Sequence, residues 1–211
     1  LGVDAKRAIK NETAQGFPYL GQAFGRSPIT LLSFKDRLKI NPFILTIPVT
    51  SRALIILYLQ RVFETLGNFD KGTFVIPCFL SSSGVQQIHA SAAMASALKN
   101  FTFIYDFEAV GELYKHNYPQ KLNRTVLFID VGAFMVKSYV VHIDKDIEIK
   151  SYAFEDQMGT NEMEKKSDNQ CTDLVKSKLI KVVDNMNQIP YDEVQLIGGG
   201  SSYECVIDII N

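Results

Sequence analysis

Apolar residues recur at helical spacing between Arg52 and Leu66, where Leu54, Ile55, Leu57, Tyr58, Val62 and Phe63 mark a stripe. Thr50-Ser51 supplies an N-cap signal in front of them and Gly67-Asn68 a stop behind. Gly72–Pro77 is apolar and β-branched, which suits a buried strand. Ser81-Ser82-Ser83 then offers a cap for a helix over Val85–Lys99, rich in Ala and Ser and so able to pack closely on a neighbour. A strand over Phe101–Tyr105 and a helix over Phe107–Lys115 follow. The strongest strand pattern is Thr125–Asp130, a turn at Val131-Gly132-Ala133, then Met135–Ile143. Asp144-Lys145-Asp146 turns the chain into a third strand, Ile147–Phe154, completing a meander. A helix from Asn169 to about Asn187 carries Leu174, Leu179, Val182, Val183 and Met186, and Pro190 ends it. Strand Val194–Ile197, three glycines and a helix from Ser202 close the pattern. Ahead of all this, short helices over Val3–Ile9 and Tyr19–Phe24 and the β-rich pieces LLSF and PFILTIPVT are expected. Strands alternating with helices around one antiparallel meander predict a mixed α/β architecture.

Composition narrows the classes. With 211 residues, 46% hydrophobic and 21% charged, the chain can bury one sizeable core or two smaller lobes. A net charge of −1 gives no electrostatic case for nucleic acid or an anionic membrane surface. The lysines at 165, 166, 176, 178 and 181 have acidic neighbours and read as solvated helix faces. No apolar run reaches the ~18 residues of a membrane span. Leu1 is not Met, and the first residues read as the middle of a domain. Cys78, Cys171 and Cys205 have neither zinc nor disulfide-framework spacing, and two buried thiols with one incidental are expected. His89, His116 and His142 are scattered, so no metal site and no nucleophilic triad is expected.

Three segments remain that could carry chemistry. VLFIDVGAF places Asp130 at the end of a buried strand before a Gly132 turn, which is how a sheet presents a carboxylate to a phosphate or a metal-bound water. The same residues also serve a plain tight turn. VQLIGGGSS runs a strand through Gly198, Gly199 and Gly200 into a helix, placing backbone N–H groups beside any anion. It is neither GxGxxG nor a P-loop, and a tight strand-to-helix turn explains it equally well. MGTNEME, with Gly159, opens a helix that Thr160 or Asn161 can cap.

The order of these pieces resembles the nucleotide-binding domain of the heat-shock 70-kDa chaperones. There a "TVPAYF" strand leads a helix, a strand ends in "INEPTAAA", and "FDLGGGTFD", "LGGEDFD" and "LVGGSTR" follow. Here the succession is FVIPCFLSSSGVQQIHASAAMASALKNFTFIYDFEAVGELY, LFIDVGAF, MGTNEME and LIGGGSS, covering most of Gly72–Asn211. Asp106 in place of the "INEP" glutamate is similar to the "INDNTA" and "NDTTA" of the large 110/170-kDa relatives. MGTNEME and AIKNETA are similar to "LGGLEME" and "AIKNPKA" of the 170-kDa endoplasmic-reticulum member. The resemblance implies an actin-like ATPase (ribonuclease H-like) fold, with a first lobe over 1–124 and a second over 125–211. It implies ATP or ADP with Mg2+ as cofactor, and Lys6, Asp106 and Asp130 as catalytic positions. Asp130, Gly132, Gly159, Gly198, Gly199 and Gly200 then hold the nucleotide. A 70-kDa chaperone or an unfolded client is the implied partner. The endoplasmic-reticulum lumen is the implied compartment, with the cytoplasm as alternative, and sequons at Asn11, Asn100 and Asn123 favour the former slightly.

The departures from that family bear on mechanism. Its first phosphate loop, "GIDLGTT", has no counterpart here, Ala133 and Phe134 replace glycines of the second, and Ser202 replaces an adenine-stacking arginine. The long stretch that builds the adenine-covering lobe is reduced here to about a dozen residues, so that lobe is expected to be missing. Phosphoryl transfer depends on positioning by several loops at once, so weak or absent hydrolysis is expected. A degenerate protein-interaction scaffold is the main alternative, and a sugar or acetate kinase of the same fold a more remote one.

Overall fold

The computed structural model describes residues 51–66, 71–95, 100–133, 135–155, 158–164, 168–184, 186 and 188–210. The elements expected before Thr50, together with Lys6, the stop at Gly67-Asn68 and Phe134, lie outside the described residues. The chain is mixed α/β and forms two compact units that divide between Ile104 and Tyr105.

The first unit contains α1 (Ser51–Leu66), β1 (Lys71–Ile76), α2 (Ser82–Ala95) and β2 (Asn100–Tyr105), with β1 and β2 paired. The inward positions of α1 are Ile55 and Leu59, one turn apart, while Leu57 and Tyr58 of the expected stripe are exposed. Ile55 and Leu59 meet Ala92 of α2, and Phe63, Phe74 and Phe103 pack around them. Ser91 and Ala92 are buried, and such small side chains permit the close approach of the two helices. Ser81 is the cap the serine run promised: the N–H of Gly84 donates to its Oγ at 3.2 Å, and the helix begins three residues before Val85.

The second unit is a four-stranded sheet in the order β5-β4-β3-β6, covered by helices. Here β3 is Arg124–Val131, β4 Val136–Ile143, β5 Ile147–Glu155 and β6 Glu193–Ile197. The meander pairs antiparallel, with the 144–146 turn closed by the Asp144 N–H on Asp146 O at 3.1 Å. A bulge in β5 at Lys150 shifts the register beside Val140 and Val141. β6 adds in parallel to the other side of β3, so Asp130 lies beside Ile197 at the carboxyl ends of both strands.

Both faces of β3 and β4 are covered, which is why they read as nearly continuous apolar runs, whereas every second residue of the edge strand β5 is exposed. Leu127, Ile129 and Val131 of β3 face α5 (Asp168–Asp184), joining Val175, Leu179 and Val206 in the main core. The alternate residue Phe128 packs edge-on against Tyr114 of α3 (Asp106–Asn117). The short α4 (Thr160–Met163) and α6 (Glu204–Ile210) complete the unit.

Four local expectations are corrected. The N-cap of α4 is Gly159, which has no side chain to cap the helix. The last helix starts at Glu204, because Gly198–Ser202 is spent on turns closed by Ser201 N–H on Gly198 O and Tyr203 N–H on Gly200 O. α5 ends at Asp184, ahead of Pro190, in turns at Met186 and Ile189. Only Cys171 is buried, while Cys78 and Cys205 are partly exposed, and none of the three is in a disulfide. Among the described residues no helix is long and apolar enough to cross a membrane.

Candidate functional site

The parallel pairing of β3 with β6 brings together segments far apart in sequence. Asp130 ends β3, Gly132 begins the turn into β4, and Gly198–Gly200 leave β6 alongside them. The Gly200 N–H donates to Val131 O at 2.8 Å and the Thr160 N–H to Gly132 O at 3.1 Å. Asp130, Gly132, Gly159 and the glycine triplet therefore meet at one end of the sheet.

The glycines are required by protein packing. Gly198 has φ of +88°, and a Cβ there would lie 2.4 Å from Asp130 Oδ1 and 2.6 Å from Val131 O. A Cβ on Gly200 would lie 2.4 Å from Val131 Cγ1 and 2.7 Å from Thr160 Cγ2. Only Gly199 of the three faces open space. The N–H groups of Gly132, Gly200 and Ser201 are committed to carbonyls of Met135, Val131 and Gly198. The triplet thus fits the loop to β3 as much as it opens the loop to a ligand.

Asp106 joins this end of the sheet from the first turn of α3. It is buried, and its Oδ1 accepts the Phe107 N–H at 3.1 Å. Its Oδ2 accepts the Tyr139 phenol at 2.8 Å and Lys137 Nζ at 3.1 Å. Lys137 also reaches Asp130 Oδ2 at 2.9 Å, so one ammonium bridges both carboxylates. Asp130 and Lys137 are directly opposed in the β3–β4 pairing, and Tyr139 lies two residues further along the same face of β4. Burial alone would lower the Lys137 pKa, but the charges of Asp130 and Asp106 and their hydrogen bonds outweigh it and hold the pKa above the ordinary lysine value.

Lys137 and Tyr139 are the residues that motif reading missed. Lys137 follows VLFIDVGAF in a strand, where an isolated lysine reads as an outward-facing position. The available signal was its pairing opposite Asp130 across a short hairpin, which places Lys137 on the face of Asp130. Lys6 lies outside the described residues, so only Asp106 and Asp130 of the three expected catalytic positions are brought together here.

A divalent ion does not fit between these carboxylates as they stand. The oxygens that would ligate it or its waters converge on the Lys137 ammonium. Among the described residues no group of three or more His, Cys, Asp or Glu side chains could hold a metal ion. No protein-family model matches the chain, and no curated protein matches it.

Proposed function

We propose that this chain is a divergent nucleotide-binding domain of the heat-shock 70-kDa superfamily, with an actin-like fold, that works as a chaperone or co-chaperone and hydrolyses ATP slowly or not at all. The observation that carries this reading is the Lys137 bridge between Asp106 and Asp130, at the sheet end where the glycine turns also gather. Convergence of strand ends, an acidic residue and glycine loops is the arrangement in which open α/β sheets hold nucleotides. The ammonium among the acidic residues removes the metal-centred part of phosphoryl transfer. In this role nucleotide acts on shape rather than as a substrate to be turned over, and the partner is a 70-kDa chaperone or an unfolded client. Asn123 stands exposed in the turn before β3 with φ of 57°, which supports its sequon being accessible and favours the endoplasmic-reticulum lumen over the cytoplasm.

Isothermal titration with ATP and ADP, paired with melting curves, tests this reading. Binding at millimolar nucleotide or tighter, a raised melting temperature and negligible phosphate release are expected. A second reading, a scaffold that binds no nucleotide, is favoured by the commitment of the Gly132, Gly200 and Ser201 N–H groups to protein carbonyls. It predicts a melting temperature indifferent to nucleotide and partner capture independent of ATP.

A further inference from the structure

We infer that Lys137 is a built-in cation that keeps divalent metal ions out of the Asp106–Asp130 pair, so that this end of the sheet is metal-free by construction. The inference deepens the proposed function, resting on it only for the expectation that a metal would otherwise belong here.

The two Oδ2 atoms point at one Nζ from different elements, 3.1 Å away on α3 and 2.9 Å away on β3. Each carboxylate has a second anchor that fixes its direction or space. Asp106 accepts the Phe107 N–H and the Tyr139 phenol, and Asp130 Oδ1 lies against Gly198, where no side chain could stand. The carboxylates are therefore held converging, as a small cation requires. The lysine is the cross-strand neighbour of Asp130, so its ammonium is a tethered ligand at high effective concentration. A metal ion entering would have to expel that ammonium. Only 17% of the Lys137 side chain is exposed, so it would lose both partners without gaining full hydration. A magnesium ion would in addition have to shed water it holds tightly. Both costs favour the resident ammonium.

Manganese titration of the whole chain, followed by electron paramagnetic resonance without nucleotide, tests this directly. The wild-type protein is expected to leave the free-ion signal unchanged through low-millimolar Mn2+. Lys137→Met and Lys137→Gln are expected to bind one ion at least tenfold more tightly than wild type, and Asp130→Asn added to either abolishes the gain. Lys137→Arg, which keeps the cation, is expected to exclude Mn2+ as wild type does, which a purely space-filling role for the side chain would not require. Wild-type binding that disappears in Asp130→Asn would overturn the inference. So would the absence of any gain in a Lys137→Met or Lys137→Gln protein whose near-ultraviolet dichroism is native. Failure of the nucleotide reading shows instead as absent ATP and ADP binding, which this titration does not involve.

Discussion

The phenol of Tyr114 donates a 3.0 Å hydrogen bond to Glu193 Oε2 across 79 residues of chain, and Lys121 Nζ reaches the same oxygen at 2.9 Å. The contact ties the last turns of α3 to the first residue of β6. Burial, then the Glu193 hydrogen bond and charge, push the Tyr114 phenol up to about 12 from 10.0. The folded state thus holds this proton more tightly than the unfolded chain. Its stabilising contribution is fully present below the ordinary tyrosine value and is lost as pH rises through about 12. Phenolate absorbance should show a tyrosine titrating near the top of this range, and Tyr114→Phe should remove it. In the Phe variant, stability should fall less steeply between those two pH values.

The glycine triplet divides by position. Gly198→Ala combines a positive φ with a clash against Asp130 and the Val131 carbonyl, and should cost about 3 kcal/mol or more in urea unfolding. Gly199→Ala meets nothing within 4 Å and should stay within about 0.5 kcal/mol of wild type. Equal effects at the two positions would refute the packing account.

Replacing Lys137 by Met removes the ammonium that bridges Asp106 and Asp130. A loss of about 2 kcal/mol at neutral pH is expected, less than for a fully buried pair because 17% and 20% of the Lys137 and Asp130 side chains remain exposed. Because the lysine pKa is raised in the folded state, the wild-type advantage should persist up to the ordinary value of 10.5 and vanish as pH rises through the higher folded value. Denaturant midpoints of the two proteins across alkaline pH would check both the size and the direction.

Gly111 sits in α3 where a Cβ would lie 2.8 Å from Ile147 Cγ2 at the start of β5. Alanine is favoured over glycine within a helix by about 1 kcal/mol, yet here the clash should make Gly111→Ala destabilising by a similar amount. In an Ile147→Ala background the clash is gone and Gly111→Ala should become stabilising. A double-mutant cycle by thermal unfolding reads this change of sign.

Much of this architecture is legible from residue pattern because local and tertiary preferences agree. The runs at Thr125–Asp130 and Met135–Ile143 become strands covered on both faces, and the serine run caps α2 through Ser81. Legibility fails where partners are distant or the signal is ambiguous. Leu57 and Tyr58 fit a helical stripe as well as Ile55 and Leu59 do, and only packing against α2 selects the inner pair. Thr160 and Asn161 are good capping residues, but the bond from the Thr160 N–H to Gly132 O fixes the helix start at Gly159 instead. At the candidate site, Asp130 is recognisable because it ends a buried strand before a glycine turn, whereas Asp106 is picked out only by the family resemblance. The lysine between them is not, since a charged residue inside an apolar strand announces its burial only through a cross-strand partner.

The parallel joining of β6 to β3 has a kinetic consequence. The meander needs only short turns, whereas the β3–β6 ladder closes a loop of the size seen between Thr125 and Asp192, 67 residues apart. Loop-closure entropy places such long-range pairing late in folding. Lys137 and Asp130 are therefore expected to meet in the hairpin before the glycine turn closes over them. Pulse-labelled amide exchange during refolding should protect the Tyr139 and Val141 amides well before that of Gly200.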